Sequence, residues 1–339
     1  MEKPLIAGLF ALLVLCPVAQ ARNDVLAPTP IRLPVGEGGM GFDDLTFSPA
    51  LRKVLVPGGR SGKLYLIDPI TQDVEMISGF SSQATYDGGH DDGITSVDEG
   101  NGFIFVTDRT AKTLDIVDAK SRTIVASAPL ASNPDYVRTI RSTNEVWVTQ
   151  PDNDRIEVFT LSSSDKPTAV HSRFIPVEGG PESLIFDRSR QRAYTHLWAG
   201  KTVVIDVKKH AIVAAWNNGC RSSRGIALDE KHGFLFAASA EGKVNVLDAE
   251  GDGRLLGSLE TGPGIDVISY NAARSHLYVT AAKSAKLFVI GVSKEGHLTL
   301  LGTGTSAYGS HCATGDDQGN VWVCDPQSGQ LLLFKDTLS

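Results

Sequence analysis

The stretch FIFVTDRTAKTLDIVD, residues 103–118, decides how this chain folds. Two short runs of β-branched and aromatic residues flank a polar turn, and the second run ends on Asp118, which reads as a strand–turn–strand unit. The unit returns in variant form along the whole sequence. KVLVPGGRSGKLYLID begins at Lys53, EVWVTQPDNDRIEVF at Glu145 and RAYTHLWAGKTVVID at Arg192. FLFAASAEGKVNVLD follows from Phe234, HLYVTAAKSAKLFVI from His276 and NVWVCDPQSGQLLLF from Asn320. A unit of short strands that recurs every ~45 residues is the signature of a β-propeller with one four-stranded sheet per blade. The fold class predicted is therefore all-β, a seven-bladed β-propeller.

Each unit extends backwards into a leading segment that should hold the innermost strand. These segments are GFDDLTFS from Gly41, HDDGITSVD from His90, NPDYVRTI from Asn133, GPESLIFD from Gly180, SSRGIALD from Ser222, GPGIDVISYN from Gly262 and GSHCATGDD from Gly309. Each starts at turn-forming residues and runs into apolar positions. Outer strands are less regular, as in VEMISGF from Val74 and TIVASAPL from Thr123, as expected of edges that must not pair with other chains. After the last hairpin, ending near Phe334, too little chain remains for an outer strand, whereas Pro30 to Val35 precede the first blade with no partner. The N-terminal strand is therefore expected to complete the last blade and close the ring, so that deleting residues 24–36 should weaken the whole ring.

The N-terminus carries Lys3, an apolar run from Leu5 to Val18 and the small-residue triplet Ala19-Gln20-Ala21 before a polar break. This pattern predicts a signal peptide over residues 1–21, cleaved after Ala21, leaving residues 22–339 as one propeller domain in the periplasm or secreted. The apolar run is shorter than the roughly 18 residues a spanning helix needs, so no membrane insertion is expected after cleavage. Leu15 and Pro17 around Cys16 make a poor lipidation site. The formal charge of −7, with no block of Lys or Arg, makes nucleic acid and anionic membrane poor partners. Cys312 and Cys324 are symmetric in number about Gln318, so a symmetric hairpin sets them opposite each other, as a disulfide or as two packed thiols. Cys220 is left as a small buried residue without a partner.

The motif Phe105-Val106-Thr107-Asp108, with Trp147-Val148-Thr149-Gln150 and Tyr278-Val279-Thr280-Ala281, resembles the Y-V-T-N repeat of secreted seven-bladed propellers. The segment 224–229, Arg-Gly-Ile-Ala-Leu-Asp, leading into Phe234-Leu235-Phe236, is similar to YncE-like members of that family. The resemblance implies the fold over nearly the whole mature chain. It does not single out a function, because binding proteins, lactone-cleaving hydrolases and subunits of redox enzymes share the architecture. Several second strands depart from the Thr-Asn ending, at Pro57-Gly58, His196-Leu197, Ala238-Ser239 and Cys324-Asp325.

In a propeller, the starts of the inner strands and the ends of the second strands gather at one mouth of the central channel. That ring collects Asp43, Asp44, His90, Asp91, Asp92, Asp135, Tyr136, Glu182, Arg224, Asp266 and His311, with Asp108, Gln150, His196 and Asp325 from the second strands. The ligand-binding set expected from it is His90, Asp92, Glu182, His196, Arg224 and His311; the metal-ligand set is Asp44, Glu182, Asp266 and His90, for a divalent cofactor. Against this stands the plainer reading that Asp and Ser at strand starts cap turns, and that channel mouths are polar because water fills them. Trp198 could stack on a ligand there or pack between blades. The function expected is binding of a small molecule, a metal ion or a protein partner by a monomer. The alternatives are a metal-dependent hydrolase of lactones or esters and a redox accessory holding a non-covalent cofactor. No C-x-x-C-H, G-x-S-x-G, G-x-x-x-x-G-K-[ST] or H-E-x-x-H pattern occurs.

Overall fold

A computed structural model describes residues 24–162 and 167–339; the expected signal peptide, its cleavage point after Ala21 and Cys16 lie outside the described residues. The described chain forms seven sheets in a ring, spanning residues 46–78, 94–129, 137–176, 185–217, 223–260, 268–305 and 313–335, here blades 1 to 7, with consecutive strands of each blade antiparallel. Their inner strands, such as Val137–Ile140 and Ile268–Asn271, all begin within the leading segments, and only that of blade 2, Ile94–Gly100, runs two residues beyond. No helix among the described residues is long and apolar enough to cross a membrane.

Burial follows from position in the blade. Second strands are covered on both faces by neighbouring blades, so Glu145–Gln150 is buried at every residue, whereas the outer strand Ala211–Asn217 is largely exposed. The third residue of each second strand forms the wedge between blades: Leu55, Phe105, Trp147, Tyr194, Phe236, Tyr278 and Trp322 are all fully buried. Polar tips on these wedges are satisfied: Trp147 Nε1 donates to Glu145 at 2.9 Å, Trp322 Nε1 to Asp316 at 2.7 Å and the Tyr278 hydroxyl to Asp336 at 2.8 Å. The Asp that ends several third strands has a local cause. Asp118 accepts from the backbone N–H groups of Lys120 and Ser121, and Asp68 from those of Ile70 and Thr71, closing the turn into the outer strand.

The ring closes as expected, and with an addition. Thr29–Arg32 pairs antiparallel with Gln330–Lys335 as the outer strand of blade 7. Ahead of it, Asp24–Leu26 runs parallel to Leu298–Thr305 and gives blade 6 a fifth strand. The leading chain thus clasps two blades, with Leu26 buried in the cluster that holds Tyr278, Leu287 and Phe334. The turn out of this clasp needs glycine: a Cβ on Gly36 would lie 2.0 Å from the Gly329 carbonyl oxygen. Cys312 and Cys324 sit across the blade 7 hairpin as a disulfide, Cα atoms 5.6 Å apart, in the register about Gln318. Cys220 is buried, and burial pushes its thiol up to about 11.

Candidate functional site

The segments ahead of the inner strands bring acids and bases from most of the ring to one end. A cleft of about 220 Å³ opens there, lined by His90, Arg109, Asn133, Asp135, Pro151, Asp152, Glu182, Trp198, Arg224 and Asp266. A second space of about 200 Å³ is lined by inner-strand residues with Asp44, Tyr136 and Arg138. A third, of about 500 Å³, carries Asp98, Glu99, Arg141, Arg188 and Glu230.

One half of the cleft is built around His90. Its Nδ1 lies 3.4 Å from Asp43 Oδ2 and its Nε2 3.8 Å from Asp266 Oδ2, while its ring stacks on that of His311 at 5.4 Å. The Asp43 carboxylate, helped by Asp266 and opposed by burial, pushes His90 up to about 10, so the ring is an imidazolium at neutral pH. Burial works against ionisation of Asp43, yet the cations of His90 and Arg109 leave its carboxyl below the usual range. His311 has both ring nitrogens against backbone carbonyl oxygens, Nδ1 at 2.7 Å from Gly309 and Nε2 at 2.8 Å from Phe42.

The other half joins Glu182, Arg224 and Trp198. Arg224 Nη1 is 2.9 Å from Glu182 Oε1, the Trp198 indole N–H donates to Glu182, and the guanidinium carbon lies 5.9 Å above the Trp198 ring. Gly180 makes room for this ring, since a Cβ there would press on it at 2.9 Å, and the indole stays 40% exposed. Burial and the nearby Asp266 push Glu182 up to about 7. Between the halves, Arg109 pairs with Asp91 at 3.0 Å and with Asp135 at 3.2 Å. Burial, then the Asp43 and Glu182 carboxylates, hold Asp135 well above the usual range.

Of the expected ligand-binding residues, His90, Glu182 and Arg224 line this cleft, and His311 stacks beneath it. Asp92 is exposed on the loop beside His90 and does not line it. His196 is fully buried inside the ring, Nδ1 at 2.9 Å from the Thr202 hydroxyl and Nε2 at 3.3 Å from the Phe236 carbonyl oxygen, and burial pushes it down to about 4. The backbone of Glu182 does pair with that of His196, but the side chains part. Asp44, expected as a metal ligand, is separated from Glu182, Asp266 and His90: Arg138 holds both its oxygens, at 2.5 and 3.0 Å, and Ser96 donates a further bond. Second-strand ends are taken up locally: Asp108 accepts from Ala111 in its own turn and from Ser81 in the connection between blades 1 and 2, and Asp325 accepts from Ser328 and Gln330.

Among the described residues, His90, Asp266 and His311 place ligand atoms within 4.8 Å of one another, as do His311, Cys312 and Cys324. The second set has its sulfurs joined in the disulfide, and the first relies on His311, whose nitrogens both face carbonyls. The sequence reading missed Arg109, Asn133 and Asp152. Arg109 directly follows the second-strand end of blade 2, so the rule that found Asp108 would have reached it one residue later.

No protein-family model matches this chain, and no curated protein matches it in sequence. Solved structures match in fold. A chain of the mitotic checkpoint complex aligns over 98% of both chains with a TM-score of 0.73 at 13% identity. Kuenenia stuttgartiensis hydrazine synthase aligns over 89% of this chain and 97% of that one, TM-score 0.71 at 11% identity. The Myceliophteria thermophila Cps50 (Swd1) β-propeller domain covers 91% of this chain and 99% of its own, TM-score 0.72 at 10% identity. Identities this low establish the seven-bladed propeller and nothing finer.

Proposed function

We propose that this protein is an exported binding propeller that holds a small polar ligand, or a polar side chain of a protein partner, in the cleft around His90, Glu182, Trp198 and Arg224. The observation that carries the reading is a set of buried polar atoms in this cleft whose ion pairs form no aligned hydrogen bond: Asp43 Oδ2 and His90 Nδ1, 3.4 Å apart, and Arg224 Nη1, 2.9 Å from Glu182 Oε1. Buried donors and acceptors are normally satisfied, and a cluster of unsatisfied ones beside an exposed indole suits a site that an incoming group completes. The propeller fold is consistent with a binding or scaffold role, and the complexes among its structural neighbours make a protein partner plausible. The Y-V-T-N-like motifs support grouping the chain with secreted propellers, and the residues before Arg22 support export with cleavage after Ala21. The hydrolase reading is less well supported, because the Arg138 ion pair takes up the Asp44 carboxylate it needs.

A thermal-shift screen of polar metabolites and short peptides tests the reading. A compound that raises Tm should lose affinity at least about tenfold in Arg224→Ala, and keep it within about twofold in His196→Ala and in Arg188→Ala. Equal affinity in Arg224→Ala and wild type removes the cleft from consideration. N-terminal sequencing of the exported protein should begin at Arg22.

A further inference from the structure

The connection between blades 1 and 2, residues 79–93, is long for a propeller loop, and long ordered loops tend to carry function. It lays Tyr86 over Gly39, turns through Gly88 and Gly89 at φ 96° and 70°, and delivers His90 to a point between blades that are not its own. There the imidazolium has a carboxylate off each ring nitrogen, Asp43 ahead of blade 1 and Asp266 ahead of blade 6. Neither contact is well made: Asp43 is 2% exposed, yet its Oδ2 and His90 Nδ1 face each other at 3.4 Å out of hydrogen-bond alignment.

We infer that His90 is an internal stand-in for an N–H-bearing organic cation, and that an alkylammonium or guanidinium group displaces it to bind between Asp43 and Asp266. The inference rests on the cleft being the binding site and names the chemistry it takes. Five carboxylates gather at this end of the molecule, Asp43, Asp135, Asp152, Glu182 and Asp266, and the repulsion of Asp43 and Glu182 on Asp135, and of Asp266 and Asp43 on Glu182, adds to burial in raising both above the usual carboxylate range. Arg109 makes its ion pairs with Asp91 and Asp135, and Arg224 with Glu182, so His90 is the cation in direct contact with Asp43 and Asp266. Without it Asp43 would be a buried charge with no cation in contact and only the more distant Arg109 to offset it, which an incoming cation repairs.

The geometry favours an organic cation over a metal ion. A metal needs several lone pairs converging at ~2.0–2.6 Å, and the one tight group here offers a single carboxylate, Asp266, with His90, held as an imidazolium, and His311, whose two ring nitrogens face backbone carbonyl oxygens. An ammonium or guanidinium reaches acceptors ~2.8 Å away in several directions and spans carboxylates that do not converge. Displacement is feasible because Gly88 faces open space and the Arg109–Asp91 pair that helps to pin the loop is exposed at Asp91, 87% accessible.

Calorimetry on the mature chain tests this with agmatine as the free amine and acetyl-Gly-Arg-Gly-amide as the peptide-borne cation. Either probe should bind His90→Ala at least about tenfold more tightly than wild type, because the competing imidazolium is gone, and the gain should vanish when Asp43→Asn or Asp266→Asn is added. Methylguanidinium should raise the Tm of His90→Ala, whereas tetramethylammonium, charged but lacking N–H, should not. A tighter peptide points to a partner protein and tighter agmatine to a free amine. Equal affinity in wild type and His90→Ala, or equal rescue by tetramethylammonium, overturns the inference. If His90→Ala does not fold, agmatine should instead speed amide exchange across residues 79–93 of the wild type, and unchanged exchange overturns it. Loss of another ligand in Arg224→Ala would leave the cleft standing even where the stand-in fails.

Discussion

His90 and His196 show how far environment separates two identical side chains in one ring. His90 faces Asp43 and is pushed up to about 10; His196 is sealed between blades 4 and 5 and is pushed down to about 4 by burial. A histidine whose value is raised on folding adds stability that is complete below ~6.5, its unfolded value, and is lost as pH climbs through the folded one. His90→Gln should therefore lower Tm most near pH 6, by an amount equivalent to about 3 kcal/mol, with the gap to wild type closing by pH 10. Thermal melts across that range check it, and a gap independent of pH refutes the Asp43 pairing. The placement of His196 was readable in principle. Side chains alternate along a strand, so His196 shares a face with Tyr194, which is wedged between blades, and that parity points it away from the cleft. Counting it among residues at the strand end used its position and ignored its direction.

At the scale of the element, the leading chain is the part that repetition could not fully reveal. The strand from Thr29 was legible because the last blade lacked an outer strand and the sequence offered one unpartnered candidate. Asp24–Leu26 was not, since three residues carry no period and their pairing is decided by the free edge of Leu298–Thr305. Leu26 anchors this strand in a core shared by blades 6 and 7, so Leu26→Ala should cost about 2–4 kcal/mol by denaturant titration. Deleting residues 24–36 should move the single unfolding transition of the whole ring downward. A separate early transition, with the rest of the melt unchanged, would mean that the clasp stabilises only the blades it touches.

The whole molecule is a closed ring, and blade 7 is where its two chain ends meet. The Cys312–Cys324 disulfide lies in that blade and ties its inner strand to its second strand. Closing a loop of this length limits the unfolded chain by about 3 kcal/mol, so Cys312→Ser with Cys324→Ser should lower the Tm of the entire ring, and added reductant should do the same to wild type only. Identical Tm values with and without the bond would show that ring closure rests on the N-terminal clasp alone. By itself, the sequence determined the number of blades, the repeated strands within them and the seam, because each depends on periodicity and on hydrophobic alternation along neighbouring residues. Only the tertiary structure decided which acids and bases meet: His90 reaches Asp266 across 176 positions of sequence, and Asp44 is claimed by Arg138 from another blade. Such pairings follow from where loops cross the end of the ring and which way each side chain turns, and no local pattern records either.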